Sequence, residues 1–274
     1  MNLLCFTRRS TSSLWQVASR RPLFPALAVP QRGFTTKRNE EEGQQFNPRL
    51  LGITSEVFIP TSYRNLPSFF SHPIVVCNSL IRRLYVLGFN TVKIALFRSQ
   101  TGVKPSFLLW KNKAIETYIQ VNKAFASKSI KSMRLQLSVW VEESLASRIS
   151  HLPKNMSLDW QIKKFNKVPK LVLVEPVMMP GKPLEHIQLI YKFDTTQELI
   201  KLDKVTKKTE KELRDIVDYM VFLCDVMTNE MILLGSVFES KPNAKLPSKQ
   251  NELDKKGMLK RMKECSDLFR LPPQ

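Results

Sequence analysis

Eleven lysines and arginines fall between His72 and Trp140: Arg82, Arg83, Lys93, Arg98, Lys104, Lys111, Lys113, Lys123, Lys128, Lys131 and Arg134, against the single acid Glu116. Cations at that density neutralise phosphate. RNA would be held with strongly salt-dependent affinity. Anionic lipid headgroups would attract the same side chains at about 1 kcal/mol for each residue near the surface. The chain as a whole carries a formal +19 with a pI near 9.9, so an anionic partner is expected. A second basic stretch, from Lys241 to Gln274, holds nine basic and four acidic residues.

Other chemistry finds no support in the spacing. His72, His151 and His186 are far apart and form no HExxH-type metal pattern, and no Gly-rich phosphate loop occurs among the eight glycines. Asp215, Asp218 and Asp225 lie close in sequence, but a carboxylate pair needs geometry before it can act as general acid and base. Cys5, Cys77, Cys224 and Cys265 include no CxxC pair, which argues against a disulfide scaffold or a zinc site. The expectation is a protein with no catalytic, cofactor or metal site.

The elements that must position the cations follow from hydrophobic periodicity. Residues 78–98 have helical spacing, with Leu80, Leu84, Leu87 and Ile94 along one face and Ile81, Tyr85, Val92 and Leu96 beside them. Arg82, Arg83, Asn90 and Lys93 fall on the narrow opposite side. Such a helix lies in a bilayer interface, or it packs its apolar face on a sheet and leaves its cations in water. A second amphipathic helix spans 111–126, and a third is expected from an N-cap at Ser129 up to Pro153. No run of about 18 uncharged apolar residues occurs, so no membrane-spanning helix is expected.

From Leu158 onward the pattern turns to strands. Leu158–Ile162 and Lys170–Val174 come first, with Pro169 and Pro176 marking an edge or bent strand. A meander follows between Leu184 and Glu239. In its first strand Ile187, Leu189, Tyr191 and Phe193 share one side; in its second, Val217, Tyr219, Val221 and Leu223 alternate with Asp218, Met220, Phe222 and Cys224. Thr228-Asn229-Glu230 is the turn into the third. A single helix over 210–227 competes, but the Tyr, Val, Phe and Ile content favours strands. The fold class is therefore α+β, helices first and an antiparallel sheet after, with two helices on one sheet face. Leu189, Tyr191, Val217, Tyr219 and Leu223 are the residues expected to face inward.

The N-terminal 38 residues contain seven Lys or Arg, many Ser and Thr, and no acid. That is the composition of a mitochondrial targeting peptide, with Gly33, Phe34 and Thr35 at the expected cleavage region. The organisation read from the sequence is a targeting peptide over 1–34, a polar linker over 35–56, an α+β domain over 57–240 and a basic tail over 241–274.

Three blocks, Pro60–Phe69, Lys104–Tyr118 and Leu184–Asp194, together with the stretch from Val217 to Asn243, resemble the fungal mitochondrial inner-membrane ribosome receptors. The similarity covers roughly residues 57–274. More distantly the chain is similar to an animal large-subunit mitoribosomal protein of the exit tunnel and to the C-terminal domain of the import-motor scaffold. The resemblance implies a cystatin-like or nuclear-transport-factor-like cone, its curved sheet cradling helices. It also implies a peripheral protein on the matrix side of the inner membrane. There it would hold the large ribosomal subunit, through rRNA and proteins near the tunnel exit, beside the insertase and against anionic lipids, so that products enter the bilayer as they are made. An integral large-subunit protein at the tunnel exit is the alternative. The resemblance does not assign individual cations to RNA or to lipid.

Overall fold

The computed structural model describes residues 47–153, 155–178, 183–246 and 255–272. The targeting peptide, its cleavage region and the first part of the linker lie outside the described residues. Four strands form one antiparallel sheet in the order β1-β2-β3-β4: β1 Met156–Val177, β2 His186–Asp203, β3 Thr209–Asp225 and β4 Met231–Val237. Among the described residues four α-helices accompany them: α1 Pro73–Thr101, α2 Phe107–Ala126, α3 Val139–His151 and α4 Lys255–Ser266. The class is α+β, as the sequence indicates.

The meander forms where the alternating pattern places it, and the rival helix over 210–227 is absent, since 209–225 is strand β3. β2 and β3 extend well past the apolar runs that mark them in the sequence. Their outer halves carry charged residues and are held by register pairing out to Leu202 opposite Thr209. Cross-strand ion pairs support that half, Lys201–Glu212 at 3.2 Å and Lys163–Glu198 at 2.7 Å. The segments 158–162 and 170–174 belong to one long strand, β1. Register shifts between Ile162 and Leu173 break the alternation that would have joined them in the sequence. β1 is one of the two edge strands and also carries register shifts, so both alternatives its prolines offered, edge and bent, apply.

The sheet is buried on both faces. Ile187, Leu189, Tyr191 and Phe193 of β2 and Met220, Phe222 and Cys224 of β3 pack with α2, α3 and the 3-10 segment Ile130–Gln136. Tyr219, Val221 and Leu223 point the other way, onto Ile53, Phe58, Ile59, Val86 and Cys265. Only Leu189 and Tyr191 of the five residues expected to face inward look toward α2 and α3. The register pairs Leu189 with Phe222 and Tyr191 with Met220, so the inward residues of β3 are the even-numbered ones. Val217 is exposed. The second layer explains the error: both sides of β3 are apolar, and alternation alone cannot say which side meets which partner.

That second layer is built from segments read as peripheral. Within the expected linker, Pro48–Leu50 form a 3-10 turn and Ile53 is 1% exposed. In the expected tail, α4 brings Cys265 and Leu268 into the interior. β4 accommodates the tail at Gly235, whose φ of 148° suits glycine and where a Cβ would meet the Cys265 carbonyl oxygen. Arg148 of α3 fastens Asp267 through two hydrogen bonds of 2.5 and 2.6 Å. The third predicted helix also divides. Ser129 begins the 3-10 segment, and Ser138 caps α3, its hydroxyl accepting from the Val141 amide.

Of the two orientations expected for α1, packing of its apolar face on the sheet is overturned. Its cationic strip faces the protein and its apolar face is turned out. Arg82 donates to the Pro242 carbonyl at 3.1 Å, and Arg83 donates to the Thr61 carbonyl with its guanidinium 4.0 Å over the Tyr63 ring. Lys93 pairs with Glu175. Asn90 completes β1's open edge, its amide donating to the Val172 carbonyl at 2.8 Å and its carbonyl accepting from the Val174 amide at 3.2 Å. The edge strand needs polar partners for unpaired backbone groups, and the polar strip of α1 supplies them. That requirement outweighs burial of the leucines.

Candidate nucleic-acid interface

The eleven cations do not form one surface. Arg82, Arg83 and Lys93 are tied to the protein as described. Lys113 donates to the Asn229 carbonyl at 2.9 Å, beside the Trp110 indole, which donates to the Asn229 side chain at 2.7 Å. These contacts seat the β3–β4 turn on α2, with Asn229 in the left-handed region at φ 59°. Lys111 is half-buried, and Arg98 and Lys104 are exposed at the far end of α1.

Four cations do come together in one stretch. Lys123 lies on the last turns of α2, and Lys128, Lys131 and Arg134 follow at intervals of three. All four are exposed. In a 3-10 helix residues i and i+3 eclipse, so Lys131 and Arg134 stand one above the other. Lys128 precedes them at a positive φ of 61°, its ammonium donating to the Met156 carbonyl at 2.9 Å and so bridging to the start of β1. Arg134 is 69% exposed and lies 3.9 Å from Glu142, a carboxylate already held by Arg49 at 2.6 Å.

Beside this ladder runs an open groove of about 730 Å³, lined by the polar Gln120, Lys123, Ser127, Ser129, Ser132 and Gln136 and by apolar residues that include Met133, Leu135, Leu158 and Trp160. One acid, Asp159, lies on its wall. Hydroxyls and amides beside cations are the groups that bind phosphate and sugar. The 3-10 segment is held in place by the burial of Ile130 and Met133, with Leu137 beyond it joined to Leu233 by a β-bridge.

Two further basic features escaped the sequence analysis. The β2–β3 hairpin carries Lys201, Lys204, Lys207, Lys208 and Lys211 around its turn, against Asp203 and Glu210. The outer face of β1 exposes Lys163, Lys164, Lys167 and Lys170. Their cations come from segments read as short strands and loops, so their clustering was not apparent until the strands were known to be long.

The other chemistry weighed in the sequence resolves into structure. Asp215 accepts from the Thr196 hydroxyl at 2.5 Å, and Asp225 accepts from the Met227 amide at 2.8 Å, holding the turn. Asp218 is on the opposite sheet face from Asp215. It accepts from the Tyr118 hydroxyl at 2.5 Å, and Gln197 donates to the same hydroxyl oxygen at 2.6 Å. Burial pushes the Tyr118 phenol well up, reinforced by the Asp218 charge, and burial pushes the Asp218 carboxyl up against those hydrogen bonds. Tyr118 stacks on Phe193 with ring centroids 4.3 Å apart. The cluster is a buried polar pin between α2 and the sheet. No group of three or more metal-ligating side chains occurs among the described residues.

The chain has counterparts among known proteins. The MBA1-like protein family model matches residues 37–274, and the chain belongs to that family. Among curated proteins, the inner membrane mitoribosome receptor MBA1, mitochondrial, of Saccharomyces cerevisiae is 58% identical over 248 residues, covering 90% of this chain and 89% of the relative.

Proposed function

We propose that this protein is a peripheral receptor on the matrix side of the mitochondrial inner membrane that holds the large ribosomal subunit. The observation that supports this reading best is the near full-length identity to a mitoribosome receptor, shared by two chains of almost the same extent. A surface suited to that role is present in Lys123, Lys128, Lys131 and Arg134 beside a groove of hydroxyls and amides, our candidate rRNA contact. No helix among the described residues is long and apolar enough to cross a membrane, which agrees with peripheral attachment. The finer role is to keep the tunnel exit beside the insertase, so that hydrophobic products enter the bilayer during synthesis. The protein acts by holding its partners and not by catalysis.

The test is sedimentation of the protein with large ribosomal subunits. Replacing Lys123, Lys131 and Arg134 together by Glu is expected to abolish it while leaving the fold intact, because all three are exposed and Lys128, whose ammonium is bonded to the Met156 carbonyl, is kept. Lys113 and Lys93 are unsuitable, since their contacts fasten the fold. Undiminished sedimentation would remove the groove from the interface and move it to the β2–β3 hairpin lysines. Carbonate extraction of mitochondria is expected to release the protein, and retention in the bilayer would end the peripheral reading. The family match begins at residue 37, next to Gly33, Phe34 and Thr35, where we place removal of the targeting peptide.

A further inference from the structure

α1 presents an unpartnered apolar face about 33 Å long from Ile74 to Leu96, at 1.5 Å per residue. Ile81, Leu84, Tyr85, Leu87, Val92 and Leu96 are all more than half exposed, Leu84 at 67%. At 100° per residue they span the outward half of the helix, and Gly88, Thr91 and Ala95 fill its centre line. No charged residue lies on that half between Ile74 and Leu96, because Arg82, Arg83 and Lys93 are bonded inward. A contiguous apolar surface of this length on a folded domain marks an interaction site.

We infer that this face lies in the interfacial zone of an anionic bilayer, with α1 parallel to the membrane plane. The proposal rests on the membrane-peripheral reading above and assigns the surface that makes the contact. The occupant is argued from the chemistry at the two ends of the helix. Arg98 and Lys104 are exposed at one end, and Arg64 and Lys241 at the other, with Arg64 beside His72 and Pro242 around the helix start. The nearest acids, Glu175 and Glu239, are each paired with a lysine, Lys93 and Lys192. An apolar strip flanked by cations, with its neighbouring acids ion-paired, matches acyl chains bounded by anionic headgroups. Aromatic rings concentrate along it: Tyr85 stacks on Phe89 with centroids 5.6 Å apart, and Phe70, 96% exposed, precedes the helix. Such rings favour the headgroup boundary.

The experiment is flotation of the full chain with phosphatidylcholine vesicles containing phosphatidylglycerol, run beside sedimentation with large ribosomal subunits. Leu84→Glu with Leu87→Glu, and separately Leu84→Gln with Leu87→Gln, alter side chains that are about two-thirds exposed, so the melting temperature is expected to stay near the wild-type value. Both pairs are expected to weaken vesicle binding by about tenfold or more, since each removes two buried leucines from the acyl boundary. Ribosome sedimentation is expected to be unchanged. A Glu pair that floats like the wild type overturns the proposal, as does an effect confined to the Glu pair, which would mean charge repulsion alone. Loss of ribosome binding with flotation intact also overturns it and gives the face to a protein or ribosomal partner. Should the wild type itself fail to float yet sediment with ribosomes, the lipid occupant is wrong and the receptor reading stands.

Discussion

Two carboxylates on opposite sides of β3 are held in opposite electrostatic states. Asp218 lies under α2, where burial raises its pKa. Glu239 is also opposed by burial, yet it accepts from the Tyr219 hydroxyl, the Ser62 amide and the Asn65 amide, with Lys192 nearby, and its pKa is held low. The signs of their pH dependence therefore differ. The folded form of Glu239 binds its proton less readily than the unfolded chain, so its stabilisation is present above the unfolded pKa and is lost as pH falls through the folded one. The folded form of Asp218 binds its proton more readily, so stability falls as pH rises from the unfolded pKa through the raised one. Urea unfolding across the acid range should show Glu239→Gln most destabilising at neutral pH and converging on the wild type in acid. Asp218→Asn should do the reverse, its deficit growing as pH falls. Parallel curves for the two variants would refute the assignment. Cys224 belongs to the same scale: burial pushes its thiol up to about 12, which keeps it inert at neutral pH.

At the scale of the element, α1 is the informative case. Its sequence is that of an amphipathic helix, and its orientation is set by what β1 needs at its open edge. Asn90 supplies both a donor and an acceptor to consecutive outward backbone groups of β1, standing in for a fifth strand. Asn90→Ala leaves the Val172 carbonyl and the Val174 amide without their partner. The expected cost is about 1–3 kcal/mol in chemical unfolding. An edge released in this way is also prone to pairing between molecules, so light scattering on warming should rise earlier than in the wild type. A variant of unchanged stability would mean that Lys93 and Arg83 alone fix the helix. The 3-10 segment shows the converse, an element short in span whose three-residue repeat aligns Lys131 with Arg134.

The whole molecule presents different chemistry on different parts of its surface. The groove of α2 and the 3-10 segment offers cations with hydroxyls, while α1 offers apolar surface with cations only at its ends. Binding to ribosomes through the groove should weaken linearly in log affinity against log salt, and each cation removed should reduce the slope by about one. Vesicle binding through α1 should retain most of its strength at high salt, because burial of apolar groups is not screened. Measuring both against ionic strength separates the two surfaces within one preparation. Equal salt slopes would show that one basic surface serves both partners.

The sequence by itself determined the α+β class, the strands of the meander and the basic excess before Trp140. These depend on local periodicity, turn residues and charge counts, which the chain carries wherever it is placed. It also carried the resemblance that the family match bears out. Tertiary structure alone decided which sheet face meets which layer, because β3 is apolar on both sides and Ile53 and Cys265 arrive from distant segments. It alone decided that Arg82, Arg83 and Lys93 turn inward, since the backbone groups and the carboxylate that hold them lie on other elements. The outward face of α1 and the ladder of Lys128, Lys131 and Arg134 are the two consequences. Both arise because backbone polar groups at a sheet edge and a turn must be satisfied before side chains are free to meet a partner.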